Sequence, residues 1–265
     1  MLALLCLCLL RLHMPVRSQA LTWRVEVHER ARLPGDEDLL LPDLRTLPPS
    51  DLRLIMNAQG TRKLIRFSNS VWNSGPGVLE VAGDLDRQNA SVAITQKIAT
   101  TGEQVEARPV GEFVFHVPHN HWHLDGFSIY EVWTVKHGGV LGERLVASDK
   151  VSYCMRDDAT VDALLLSSGV TLDMPRWAQF TGCGWARQGI SAGWADIYRS
   201  NLPGQIIDIS AIPDGLYALK STVNPDGILY EANTSNNSGV RYFELQGNRL
   251  MALGRFLPPI HHAME

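Results

Sequence analysis

Short runs of alternating or dense apolar residues, punctuated by glycine, proline and asparagine, recur along most of the chain. Lys63-Leu64-Ile65-Arg66-Phe67-Ser68-Asn69-Ser70-Val71 predicts a strand, and Asn73-Ser74-Gly75-Pro76-Gly77 a turn after it. Val78 to Val81, Ser91 to Ala99, Glu112 to Val117 and Phe127 to Val135 predict further strands. Gln205 to Ile209, Leu216 to Val223 and Gly239 to Leu245 complete the set. Asp157 to Leu166 reads as a short helix or an ordered loop, ended by Gly169. Pro34, Pro42, Pro48 and Pro49 discourage regular structure near the start of the chain. Short strands with frequent turns predict an all-β fold: an antiparallel β-sandwich core with long loops and little helix.

Composition refines this outline. The 265 residues, 45% hydrophobic and 20% charged, supply ample material for a core. Leu2 to Leu10 is a short apolar run, and Ser18-Gln19-Ala20 offers small residues for cleavage. Residues 1–20 therefore read as a secretory signal, too short to span a bilayer, and predict a secreted or periplasmic product. Without them the chain carries 22 basic and 28 acidic residues. No basic patch points to nucleic acid or to an anionic membrane. Two cysteines remain, Cys154 and Cys183. An even count in an exported chain predicts one disulfide.

The chemistry concentrates in Phe115-His116-Val117-Pro118-His119-Asn120-His121-Trp122-His123, which holds four of the nine histidines. His119, His121 and His123 alternate, so an extended backbone turns them to one face. A flat strand spreads the outer two over roughly 13 Å, too far for one ion at bonds of ~2 Å. The backbone must curl, and Pro118 before and Gly126 after are suitable punctuation. Imidazole nitrogens suit copper, zinc, iron or nickel. Three of them leave positions open for water, dioxygen or substrate, the pattern of a catalytic centre.

At this point the residues resemble the catalytic domain of the lysyl oxidase and lysyl oxidase-like family over about residues 40–246. The shared pieces, in order, are Leu41 to Leu44, the Leu64 to Asn73 strand, His116 to His123 and Asp125 to Tyr130. They continue through Asp149 to Cys154, Gln188 to Gly193, Asp196 to Tyr198, Val223 to Pro225 and Glu231 to Asn237. Residues 21–39 then form an irregular leading segment and 247–265 a loosely attached tail. The resemblance implies a copper-dependent amine oxidase that converts primary amines or peptidyl-lysine, with dioxygen, to aldehyde, ammonia and hydrogen peroxide. It implies copper on His119, His121 and His123, with His116 outside that set. It implies a cofactor, lysine tyrosylquinone, built from Lys150 and Tyr198. Nothing in composition or periodicity picks out those two residues, since a lone lysine is normally a solvated charge and a lone tyrosine normally packs its ring. Cys154 and Cys183 resemble a family disulfide. Asp43, the Leu44 carbonyl, Glu231, Asn233, Asn236 and Asn237 resemble a family calcium site built of hard oxygen ligands.

Some positions depart from the family pattern. Asn233 stands where the family has Asp, Ile129 where it has His, and Pro118 where it has Cys. These bear on calcium affinity, proton handling and a lost bridge beside the copper site. Asp196, close to Tyr198 in sequence, and Asp125 are candidates for the general base. Two other readings compete with the oxidase. One is a non-catalytic exported copper- or zinc-binding β-sandwich. The other, a metal-dependent hydrolase or oxygenase, wants a carboxylate ligand that the sequence does not mark.

Overall fold

The structure, a computed structural model, describes residues 39–86, 91–161 and 174–254. Its strands in chain order are β1 (Leu44–Thr46), β2 (Ser50–Met56), β3 (Lys63–Asn73), β4 (Leu79–Asp86), β5 (Ser91–Ala99), β6 (Val105–His116), β7 (His121–Val135) and β8 (Leu141–Ala147). They continue with β9 (Val151–Tyr153), β10 (Ala159–Thr160), β11 (Arg187–Ile190), β12 (Trp194–Tyr198), β13 (Ile206–Asp208), β14 (Gly215–Val223), β15 (Ser238–Gln246) and β16 (Arg249–Ala252). Among the described residues, helix is limited to two 3-10 turns, Val117–His119 and His137–Gly139.

Two antiparallel sheets result, as the apolar pattern predicts. β3 is the axis of the smaller one. Its first half is flanked by β2 and β13, and its second half by β1 and β12, with β10 beyond β12. The larger sheet runs β11–β4–β5–β6–β7–β14–β15–β16, and β8 and β9 also pair with β7. β5 shows why these segments choose strand. Val92, Ile94, Gln96 and Ile98 are buried while the residues between them are not, the two-residue period of a strand with one face on a core.

The inward faces of both sheets share one interior. Leu44, Val71 and Tyr198 of the smaller sheet pack with Val81, Phe113 and Leu124 of the larger. A second cluster sets Ile65 and Phe67 against Tyr130, Leu219 and Phe243. Each such aliphatic or aromatic side chain contributes about 1.5–3 kcal/mol when fully buried. The turn after β3 closes tightly on the start of the domain. A side chain at Gly77 would meet the Leu40 carbonyl at 1.7 Å, so only glycine lets the two backbones pass.

Several expectations need correction. The prolines near the start flank strands rather than prevent them: β1 lies between Pro42 and Pro48, and β2 begins directly after Pro49. β7 starts at His121, well before Phe127, so two of the histidines lie within a long strand. Residues 157–161 are extended and include β10, not helix, while 162–166 lie outside the described residues. β16 pairs with β15 and the Leu253 N–H with the Tyr242 carbonyl, so residues 249–253 are attached to the sheet and not loose. The expected signal at 1–20, residues 21–38 and the end of the chain from 255 also lie outside the described residues.

Candidate active site

The histidines sit on the hairpin between β6 and β7. Phe115 pairs with Trp122 and His116 with His121 across it. Because opposite residues share a face, His116, His121 and His123 project to one side. The curl falls at the hairpin tip. Val117–His119 forms a 3-10 turn with Pro118 near its start, and Asn120 closes it in the left-handed conformation at φ 55°. Pro needs no amide donor there, and Asn tolerates positive φ. His119 is thereby folded back over the strands. Ring centroids are 4.4 Å apart for His116 and His119, 4.6 Å for His116 and His123, and 4.8 Å for His121 and His123.

The donor atoms form a group that could hold a metal. Nδ1 of His119 and Nε2 of His123 are 3.4 Å apart. Two nitrogens each ~2 Å from one tetrahedral ion stand about 3.3 Å apart. Nδ1 of His116 and Nε2 of His119 are buried with no hydrogen-bond partner. His116, His119 and His123 bring one nitrogen each to within 4.8 Å of one another. His121 instead places its nitrogen in a group with the sulfurs of Cys154 and Cys183, which their bond to each other closes to metal. All four imidazoles therefore share one cluster, with His116 more central and His121 more lateral than the alternating pattern implies. His123, only 1% exposed, is held by Ser152, whose Oγ lies 3.0 Å from its Nδ1. Burial first, then the neighbouring imidazoles, push its pKa down to about 3. The ring is neutral at physiological pH, as a ligand must be.

Tyr198 lies beside this cluster. Its ring centroid is 6.5 Å from that of His123, and it stacks on Tyr153 at 3.7 Å. Its hydroxyl accepts the Cys154 N–H at 2.7 Å. Burial, then the nearby Asp196, push its phenol far above the ordinary value. Lys150 is elsewhere. It precedes β9 on the exposed rim, and its ammonium pairs with the Asp226 carboxylate. No hydrogen bond joins Lys150 to Tyr198. Asp125 is exposed, whereas Asp196 is wholly buried.

A disulfide joins Cys154 to Cys183, with Cα atoms 5.3 Å apart. It links both halves of the site, because the Cys154 amide holds Tyr198 and the Cys183 carbonyl accepts the Trp122 N–H of the histidine strand. Replacing both cysteines by alanine is expected to lower stability by roughly 3–4 kcal/mol, the chain-entropy value for a loop of this length. Urea unfolding of the variant measures it, and an unchanged midpoint would refute it.

The calcium-like residues converge in part. Asp43 accepts Ser74 Oγ–H, Asn236 Nδ2–H and the Arg45 guanidinium. Glu231 accepts the Leu44 N–H and the side-chain amides of Asn224 and Asn237. Burial pushes the Glu231 carboxyl up to about 7, against those hydrogen bonds. Oδ1 of Asn236 and Oδ1 of Asn237 are buried without a partner, which fits oxygens facing a cation. Asn233 instead turns its oxygen to the Ser235 amide and hydroxyl, and Arg45 already offers Asp43 a positive charge.

Four residues about the site escape the sequence reading: Ser152 behind His123, Tyr153 under Tyr198, Asp226 on Lys150, and Asp158 beside Asp196. Ser152 and Tyr153 lie in a resembling segment, but only the pairing of β9 with β7 turns them toward the site. Asp226 lies in the turn after β14 that Asn224-Pro225-Asp226-Gly227 marks, but nothing local shows that this turn reaches Lys150.

The lysyl oxidase family model matches residues 82–253. Among curated proteins, lysyl oxidase homolog 2 of Gallus gallus is 25% identical over 179 residues, 67% of this chain and 18% of the relative. Lysyl oxidase homolog 1 of Homo sapiens is 29% identical over 138 residues, 52% of this chain and 21% of the relative. Protein-lysine 6-oxidase of Sus scrofa is 28% identical over 160 residues, 60% of this chain and 57% of the relative. The matched region thus spans between 18% and 57% of those relatives' own length. With a match that takes in the histidine hairpin, both bridged cysteines and Tyr198, this chain belongs to the lysyl oxidase family.

Proposed function

We propose that the chain is a copper-dependent amine oxidase. It takes a primary amine or a peptidyl-lysine with dioxygen to an aldehyde, ammonia and hydrogen peroxide. The observation that carries this reading is a buried, stacked phenol, Tyr198, set 6.5 Å from a ring of the imidazole cluster. His119, His121 and His123 are the copper ligands by family resemblance, and the unpartnered nitrogen of His116 lies within reach of the same ion. Copper with dioxygen and a quinone drawn from Lys150 and Tyr198 supply the oxidising power when formed.

The chain's own residues supply position. Ser152 orients His123, and the Cys154 amide and the Tyr153 ring fix Tyr198. Lys150 must leave Asp226 and lose its proton before its nitrogen can bond to the Tyr198 ring. Asp43, Glu231, Asn236 and Asn237, with the Leu44 carbonyl and Asn233, are the proposed calcium ligands. That ion would tie the start of the domain to the turn before β15. The functional unit is residues 40–246, extended by β16, and the protein is exported. Among the described residues no helix is long and apolar enough to cross a membrane.

One observation favours a second reading, a non-catalytic metal-binding β-sandwich: Lys150 is paired with Asp226 and not with Tyr198. Peptide mapping of copper-loaded, aerobically matured protein separates the two. The oxidase gives a cross-linked Lys150–Tyr198 peptide, a coloured phenylhydrazine adduct and amine-dependent peroxide. Recovery of both residues unmodified, with metal bound and no peroxide, establishes the binding protein instead.

A further inference from the structure

Asp196 is the buried group least explained by packing. It is fully inaccessible, and neither carboxyl oxygen meets a donor. An ionised carboxylate so placed is strongly disfavoured. It lies two residues before Tyr198 on β12, and the strand period turns both side chains to the interior. The titratable and charged groups around it are Asp157, Asp158 and Arg156 from the segment before β10, Tyr130 of β7, Tyr153 of β9 and Tyr198 of its own strand.

After burial, the strongest influence on Asp196 is the charge of the Asp158 carboxyl. Asp158 accepts the Arg156 Nε–H at 2.7 Å and the Ile197 N–H at 3.0 Å, the role of a carboxylate. Asp158 is thus the carboxylate, and the buried Asp196, with no donor to stabilise a charge, keeps its proton. Burial, and then the Asp158 charge, hold the Asp196 carboxyl well above the usual range. The Asp158 side chain is 19% exposed, so the pair spans from solvent to the core.

We propose that Asp196 holds and moves the proton at the Tyr198 ring, with the partly exposed Asp158 carboxylate as its charged neighbour. This rests on the amine-oxidase reading above. When an amine condenses with a ring carbonyl, a proton from the Asp196 carboxyl departs with the expelled water. The carboxylate so formed then takes the proton from the carbon beside the amine nitrogen, and the electron pair of that C–H bond passes into the ring. Asp196 ends protonated, as it began.

Two arms test this. The first is infrared difference spectroscopy of metal-free, unmatured protein. A neutral carboxylic acid band beyond that of Glu231 is expected at neutral pH in the wild type and in Asp158→Asn, and should be missing in Asp196→Asn. A wild type without the band, or an Asp196→Asn variant that keeps it, overturns the assignment. The second arm is turnover at matched copper content and matched phenylhydrazine titre. Asp196→Asn should lose about 10²–10⁴-fold in kcat, the usual worth of a positioned acid–base group. Asp158→Asn, a change at the surface, should shift the kcat–pH limb to lower pH by removing a neighbouring negative charge. It keeps the test alive if Asp196→Asn fails to fold. Equal turnover in Asp196→Asn, or an unmoved limb in Asp158→Asn, defeats the proposal and leaves the oxidase reading standing. A wild type that forms no phenylhydrazine adduct defeats both.

Discussion

Tyr198→Phe is expected to keep copper and the fold while losing amine-dependent peroxide release to background. A phenyl ring retains the stack on Tyr153 and the contacts of the interior. It lacks the hydroxyl oxygen at which ring oxidation begins, so the loss is the whole catalysed rate and not a fraction of it. The structural cost is confined to the Cys154 N–H, whose acceptor disappears. A buried donor left without a partner costs about 1–3 kcal/mol. Peroxide release, copper content and the unfolding midpoint, measured together, decide the matter. Turnover surviving in Tyr198→Phe would remove this residue from the chemistry. Loss of copper would show that the phenol supports the metal directly.

His123→Ala is expected to have the largest effect on metal. His123, like His119, belongs both to the alternating trio and to the trio whose nitrogens lie within 4.8 Å, and of the two it is the buried one. Copper affinity should fall by more than the 10–100-fold that loss of a merely supporting residue costs. Isothermal titration with copper measures this. His116→Ala and His121→Ala beside it show which imidazole completes the set. His123 also sets a pH dependence in the metal-free protein. Its pKa is lower in the fold than in the unfolded chain, so the unfolded chain takes up protons first as the pH drops. The His123 contribution to stability is complete above about pH 6.5 and is lost as the pH falls towards 3. His123→Ala should flatten that decline in urea midpoints. An acid limb identical to the wild type's would assign the sensitivity to other groups.

Much of the architecture was legible because burial on one face writes a two-residue period into the chain. β4 and β5 carry that period openly, and the Asn73 to Gly77 turn carries its own glycines. β10, β11 and β12 were not legible. They are short, and Gly189 and Asp196 interrupt the apolar pattern where contacts with other elements, rather than local propensity, hold the strand. The histidine site was legible in composition but not in arrangement. Alternation suggests three rings on one strand, whereas a hairpin tip folds His119 back and brings His116 across from the partner strand. Lys150 and Tyr198 were visible only through resemblance. Their surroundings, Asp226 and Tyr153, depend on contacts between segments far apart in sequence.

The hairpin has a consequence for how the protein is made. His116 to His123 come together as soon as β6 and β7 pair, a local event on the microsecond scale. Tyr198 arrives 75 residues later in the chain and reaches its place only when β12 docks on β3. Under the proposed oxidase reading, a nascent chain therefore captures its ion before the ring to be oxidised is present. Loading and maturation become separate stages, ordered by the direction of synthesis.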